Sequence, residues 1–143
     1  MIQKERFYYF DAGVYRHLRP KGIFDSNAEL EGVGLETCFM QVFLALNHYS
    51  NWGHELYYWR TSNGIEVNFI VYGEKGLWAF EIKHSKQITP RMLRGLREFK
   101  QDYPIAQCYL LYLGSEPLYF DQEIKAYPMA WALKHLSELL MPL

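Results

Sequence analysis

Apolar residues recur along this chain at spacings that switch between three-to-four and two, and the switches mark out its elements. Between Glu29 and about Tyr49, the residues Leu35, Phe39, Val42, Phe43 and Leu46 fall three and four apart, as on one face of a helix. Gly32 and Gly34 weaken the first turn, which places its firm start near Gly34. Segments with a period of two follow. Leu56–Arg60 leads into Thr61-Ser62-Asn63-Gly64, where Asn-Gly accepts positive φ and predicts a hairpin. Ile65–Tyr72 alternates, which predicts Ile65, Val67, Phe69 and Val71 on one face with Glu66 and Asn68 on the other. Gly73-Glu74-Lys75-Gly76 then turns the chain into a third strand, Leu77–His84.

The helical period returns after that strand. Thr89 is placed to cap a helix whose first residue is Pro90 and whose apolar stripe is Met92, Leu93, Leu96 and Phe99; Pro104 ends it. Gln107–Leu113 reads as a buried strand, Pro117–Phe120 as a shorter one, and Met129–Leu140 as a final amphipathic helix. Near the start, Arg6–Phe10 reads as a strand broken by Asp11-Ala12-Gly13, and Val14–Leu18 as a short helix stopped by Pro20 and Gly22. A helix, three strands in a meander, a helix and a further strand imply an α/β fold, a mixed sheet flanked by helices. At 143 residues the expectation is a single domain over 1–143.

Composition narrows the class without naming a function. Half of the residues are hydrophobic, too many for a disordered chain. Aromatics are rich at 17%, which suits strands buried on one side rather than demanding a base-stacking surface. A net charge of −1 carries no global mark of a nucleic-acid binder. Cys38 and Cys108 lack metal-ligand spacing and read as reduced, buried thiols of a cytoplasmic protein. No apolar run reaches the roughly 18 residues of a membrane span, and there is no Gly-rich loop ending in Gly-Lys-Ser/Thr to bind ATP.

Chemistry concentrates at four positions. Glu81 and Lys83 are two apart on a strand and share a face, with Phe80 and Ile82 pointing the other way. If the polar face of the preceding strand agrees, Asn68 joins them, and Glu36 on the first helix could reach the same place. Carboxylates with a lysine suit metal-assisted phosphodiester cleavage: the carboxylates hold a divalent ion that activates water, and the lysine stabilises developing negative charge. Each residue alone is more often solvated surface, so the ordered set carries the argument. A second feature is basic. From Lys83 to Lys100 there are six basic residues against one acidic, Glu98. Lys86, Arg91, Arg94, Arg97 and Lys100 form a stripe that could hold phosphates, or simply the solvated face of an amphipathic helix.

Several segments in order resemble one family. Phe7-Tyr8-Tyr9-Phe10-Asp11-Ala12-Gly13, Gly34-Leu35-Glu36, Tyr58-Trp59-Arg60 with Glu66-Val67-Asn68-Phe69, and Phe80-Glu81-Ile82-Lys83 are similar to the C-terminal domain that follows the ATPase module in many prokaryotic AAA+-type proteins. The similarity covers nearly the whole chain; each motif is weak, while their order and spacing are fairly specific. That domain in turn resembles the PD-(D/E)XK nucleases, which implies a restriction-endonuclease-like core. In such a core Glu36, Glu81 and Lys83 match catalytic positions, and Glu36, Asn68 and Glu81 match the ligands of Mg2+ or Mn2+. The pattern expects Asp where this chain has Asn68, a ligand without charge, which weakens such a site. The resemblance therefore implies a nuclease-like, nucleic-acid-recognising module impaired in cleavage. Its implied partners are nucleic acid and an AAA+-type ATPase absent from this chain, whether the chain is a fragment or stands alone. A non-enzymatic module that docks an ATPase or a second copy of itself is the competing expectation.

Overall fold

The computed structural model describes residues 5–9 and 27–142. The expected turn at Asp11-Ala12-Gly13 and the helix over Val14–Leu18 lie outside them. A seven-stranded mixed sheet dominates, in the order β1-β2-β3-β4-β5-β7-β6. Its strands are β1 (Glu5–Tyr9), β2 (Glu55–Thr61), β3 (Glu66–Gly73), β4 (Gly76–Ile82), β5 (Gln107–Tyr112), β6 (Leu118–Tyr119) and β7 (Lys125–Pro128). Strands β1 to β4 are antiparallel neighbours, β4–β5 and β5–β7 are parallel, and β6 runs antiparallel to β7. The helices are α1 (Asn27–Ser50), α2 (Arg94–Asp102), α3 (Met129–Lys134) and α4 (Leu136–Leu139). The expected α/β class and the order of helix, meander, helix and strand are what the molecule has.

Apolar alternation along the central strands separates two cores. On one face Phe39, Met40 and Phe43 of α1 pack with Phe69, Val71, Trp78, Phe80 and Leu111, and with Met129, Leu136 and Leu139 from the last helices. On the other, Leu93, Leu96 and Phe99 cover Trp59, Val67, Ile70, Ala79 and Leu110. Such double coverage explains why β4 and β5 are almost continuously buried instead of showing a polar face.

Several expectations need correction. Val67 and Phe69 do not share a face: Val67 lies in the α2-side core and Phe69 in the α1-side core. The reason is a β-bulge. Tyr57 pairs with Ile70 but Trp59 pairs with Val67, so Asn68 and Phe69 together oppose Tyr58 alone, and the extra residue reverses the alternation. At the hairpin only Gly64 has positive φ, +88°. Gly64 N–H donates to Thr61 O at 3.1 Å, and Ser62-Asn63-Gly64 form the three-residue connection of the expected hairpin. Thr89 stands at the N-cap, yet its hydroxyl makes no capping bond, and Pro90–Leu93 form a 3-10 turn before α2. Helix α1 starts at Asn27, ahead of both glycines. The last helix breaks at His135, whose Nδ1 lies 2.8 Å from the Trp131 carbonyl oxygen and competes for that acceptor with its own backbone N–H. Strand β7 was not expected, although Ile124 and Ala126 are buried around exposed Lys125 in the alternation of a strand. Cys108 is buried, but Cys38 is exposed.

Helix α2 sits unusually close to the sheet. A Cβ on Gly95 would collide with the backbone carbonyl oxygen of Glu66, one residue before Val67 and the bulge. Gly95→Ala gains about 1 kcal/mol of helix propensity, but overpacking against backbone that cannot yield costs about 1–3 kcal/mol. The clash should win. Thermal denaturation is expected to show a melting temperature lowered by several degrees; an unchanged or raised value would mean that α2 has room to move away.

Candidate functional site

Three of the four chemical residues converge where β3 and β4 part. The last paired residues there are Phe69 and Phe80. Beyond them the Ile82 N–H finds no backbone acceptor on β3 and instead donates to Asn68 Oδ1 at 2.7 Å. Asn68 can reach because it belongs to the bulge, which turns its side chain toward β4. Its Nδ2 donates to Glu36 Oε1 at 3.2 Å, and its backbone N–H donates to Glu81 Oε1 at 3.3 Å. One residue thus ties α1, β3 and β4 together.

The orientation of this amide follows from chemistry. A backbone N–H can only donate, so the Asn68 atom facing Ile82 must be oxygen, and the NH2 group must then face Glu36. Glu36 arrives from α1, on one side of the sheet. Glu81 leaves β4 on the side opposite Phe80 and Ile82, by the alternation of that strand. It is no surface carboxylate: only 6% of it is exposed. Burial pushes its carboxyl up to about 8; Lys83 and the Asn68 N–H pull it down, while Glu36 and Glu66 push it further up. At neutral pH Glu81 is therefore mostly a neutral acid.

Lys83 is half-buried and lies close enough to act on Glu81 through its charge. Glu36, Asn68 and Glu81 meet, with Lys83 near them. Glu66, named in the sequence only as a strand neighbour, also acts on Glu81 electrostatically. It accepts a hydrogen bond from Tyr58 Oη at 3.1 Å and pairs with Arg60 Nε at 3.6 Å. The signal that could have exposed the arrangement is Asn68 itself, one polar residue between Val67 and Phe69, which are both buried.

This donor set is short of carboxylate charge for a magnesium or manganese ion. Such an ion needs oxygens with lone pairs to spare and carboxylate charge. Here Asn68 brings no charge, its Oδ1 is turned to the Ile82 N–H, and its amide hydrogens face Glu36. Among the described residues no group of three or more His, Cys, Asp or Glu side chains is placed to hold a metal ion.

The basic stripe divides. Arg91, Arg94 and Arg97 line a shallow open groove along the outer face of α2 and the turn before it, with Pro90, Glu98 and Gln101 and no wall from a second element. Arg94 Nε lies 3.7 Å from Glu98 Oε1, in a pair whose Arg94 side chain is 65% exposed. Lys86 is exposed but does not line the groove. Lys100 departs from the expectation: its Nζ donates to the Ala106 carbonyl at 2.5 Å and lies 3.9 Å from Glu123 Oε2. Its side chain closes the end of α2 onto the following turn instead of facing the groove.

The Glu81 carboxyl makes stability depend on pH. Its folded value, about 8, exceeds the unfolded value of 4.5, so the folded state binds the extra proton. That contribution is complete below pH 4.5 and is lost as pH rises through 8. Buried His54 acts oppositely: burial, aided by Lys75, lowers its pKa, so the unfolded state takes its proton first on acidification. Comparison with Glu81→Gln cancels the His54 effect. Between pH 5 and pH 8.5 the native protein should lose about 5 °C or more of melting temperature relative to Glu81→Gln, given a few kcal/mol of linkage. Parallel melting curves across that range would mean that Glu81 ionises normally.

Residues 31–132 match the family described as a domain of unknown function, DUF4143. No match was found among curated proteins or among solved structures. With well over half of its length matched, the chain belongs to the DUF4143 family.

Proposed function

We propose that this domain is a nuclease-like module that holds nucleic acid without cutting it, working with an AAA+-type ATPase. The observation that carries the reading is a contrast. The arginines lie on the open outer face of α2, whereas the carboxyl cluster beside Asn68 is closed by its own hydrogen bonds. A phosphate backbone needs only cations at the surface, spaced along a groove. The Arg94–Glu98 pair does not block this, because an exposed pair of this i,i+4 kind is worth about 0.3–0.5 kcal/mol and exchanges readily for phosphate. Cleavage needs a metal or an equivalent charge at Glu81, and that is where the donor set falls short. The ATPase partner is supported by the resemblance in the motifs around Glu36, Asn68, Glu81 and Lys83.

Fluorescence anisotropy with labelled single- and double-stranded DNA tests the binding half. Binding is expected in the range of about 1–100 μM at low salt, weakening with a log–log salt slope of about −2 to −3 for three phosphate contacts. Changing Arg91, Arg94 and Arg97 together to Ala should weaken binding about tenfold or more and flatten the slope. The native protein should leave both DNA forms intact with Mg2+ or Mn2+. Absent or salt-independent binding would move the function to protein docking. Metal-dependent cutting that disappears in Glu81→Ala would make the domain an active nuclease.

A further inference from the structure

We infer that Asn68, with its side-chain amide on Glu36 and its backbone N–H on Glu81, stands in for a cation: a neutral cross-link that closes the Glu36–Glu81 cluster against divalent metal. This deepens the non-cutting half of the reading above, but it rests on the hydrogen bonds of the cluster and not on nucleic-acid binding.

A cation between carboxylates does two physical jobs: it offsets their mutual repulsion and it ties together the elements that carry them. Asn68 does both. Its amide hydrogens face Glu36 Oε1, its backbone N–H faces Glu81 Oε1, and its oxygen is fixed on β4 by Ile82. The amide cannot turn over to free an oxygen for a metal, because that would set the NH2 group against the Ile82 N–H, donor against donor at a part-buried position. A metal entering between Glu36 and Glu81 would therefore meet hydrogens carrying partial positive charge. A carboxylate at this position behaves differently. One oxygen can keep the Ile82 N–H while the other, bearing charge and no hydrogen, turns toward Glu36. In the absence of metal it sets a carboxylate against Glu36, and repulsion rises.

Asn68→Asp should therefore exchange one closure for another. In chelator its melting temperature should fall several degrees below native. Manganese at about 1 mM should restore about 3 °C or more, as expected for a ligand that binds only the folded state. The native protein should shift by less than about 1 °C under the same conditions. Electron paramagnetic resonance should show the free Mn2+ signal undiminished by native protein and attenuated by Asn68→Asp, with the attenuation lost in Asn68→Asp combined with Glu81→Gln. If Asn68→Asp does not fold in chelator, refolding in manganese buffer alone is the same expected result. Mn2+ capture by the native protein that is lost in Glu81→Gln would overturn the inference. So would an Asn68→Asp protein, folded or unfolded, on which manganese has no effect.

Discussion

One backbone N–H, that of Ile82, governs the centre of this molecule. Strand β3 bulges at Asn68 and Phe69 and ceases to offer β4 a backbone acceptor just where β4 still has a donor to satisfy. A buried donor left alone costs about 1–3 kcal/mol, so something must accept from it. The Asn68 oxygen does, and every other relation in the cluster follows. The NH2 group is committed to Glu36, α1 is tied over the sheet, and Glu81 sits in a part of the protein with little water. The charge state of Glu81 is thus a consequence of strand geometry as much as of its own neighbours.

The same bulge organises packing. By reversing the alternation of β3 it delivers Val67 to the core under α2 while Phe69 stays in the core under α1, stacked against Phe39 at 4.7 Å between ring centroids. Gly95 then lets α2 press on the strand at Glu66, next to the irregularity. Bulge, close helix and carboxyl cluster form one contiguous region, so a change in any of them is felt by the others through packed backbone.

How far the sequence discloses this can be judged residue by residue. The helix stripe through Phe39 and Phe43, the meander and the crossover to β5 were legible because periodicity is set by burial, and each of these elements is long enough to display it. The meeting of Glu36, Asn68 and Glu81 was legible from motif order. Strand β7 was not, since four residues led by a lysine give too few positions to show a period. Nor was the bulge: a strand read alone reveals its alternation but not the length of the partner it must match, and only the pairing of Tyr58 against two residues makes the extra one visible. Lys100 looked like its basic neighbours because spacing reports the face of a helix and not the carbonyl that lies beyond its end.

Each side of the sheet holds one fully buried tryptophan. Trp59 belongs to the core under α2 and Trp78 to the core under α1; both are fully buried, and neither indole N–H has a hydrogen-bond partner among the described residues. An indole in such surroundings emits at shorter wavelength than one in water, because no dipoles relax around its excited state. Trp131 is exposed and Trp52 half-buried, so their emission lies to the red of the buried pair. The protein therefore carries, without any label, a reporter in each of its two interiors, and replacing one of the two by Phe assigns a red shift to the face that has loosened.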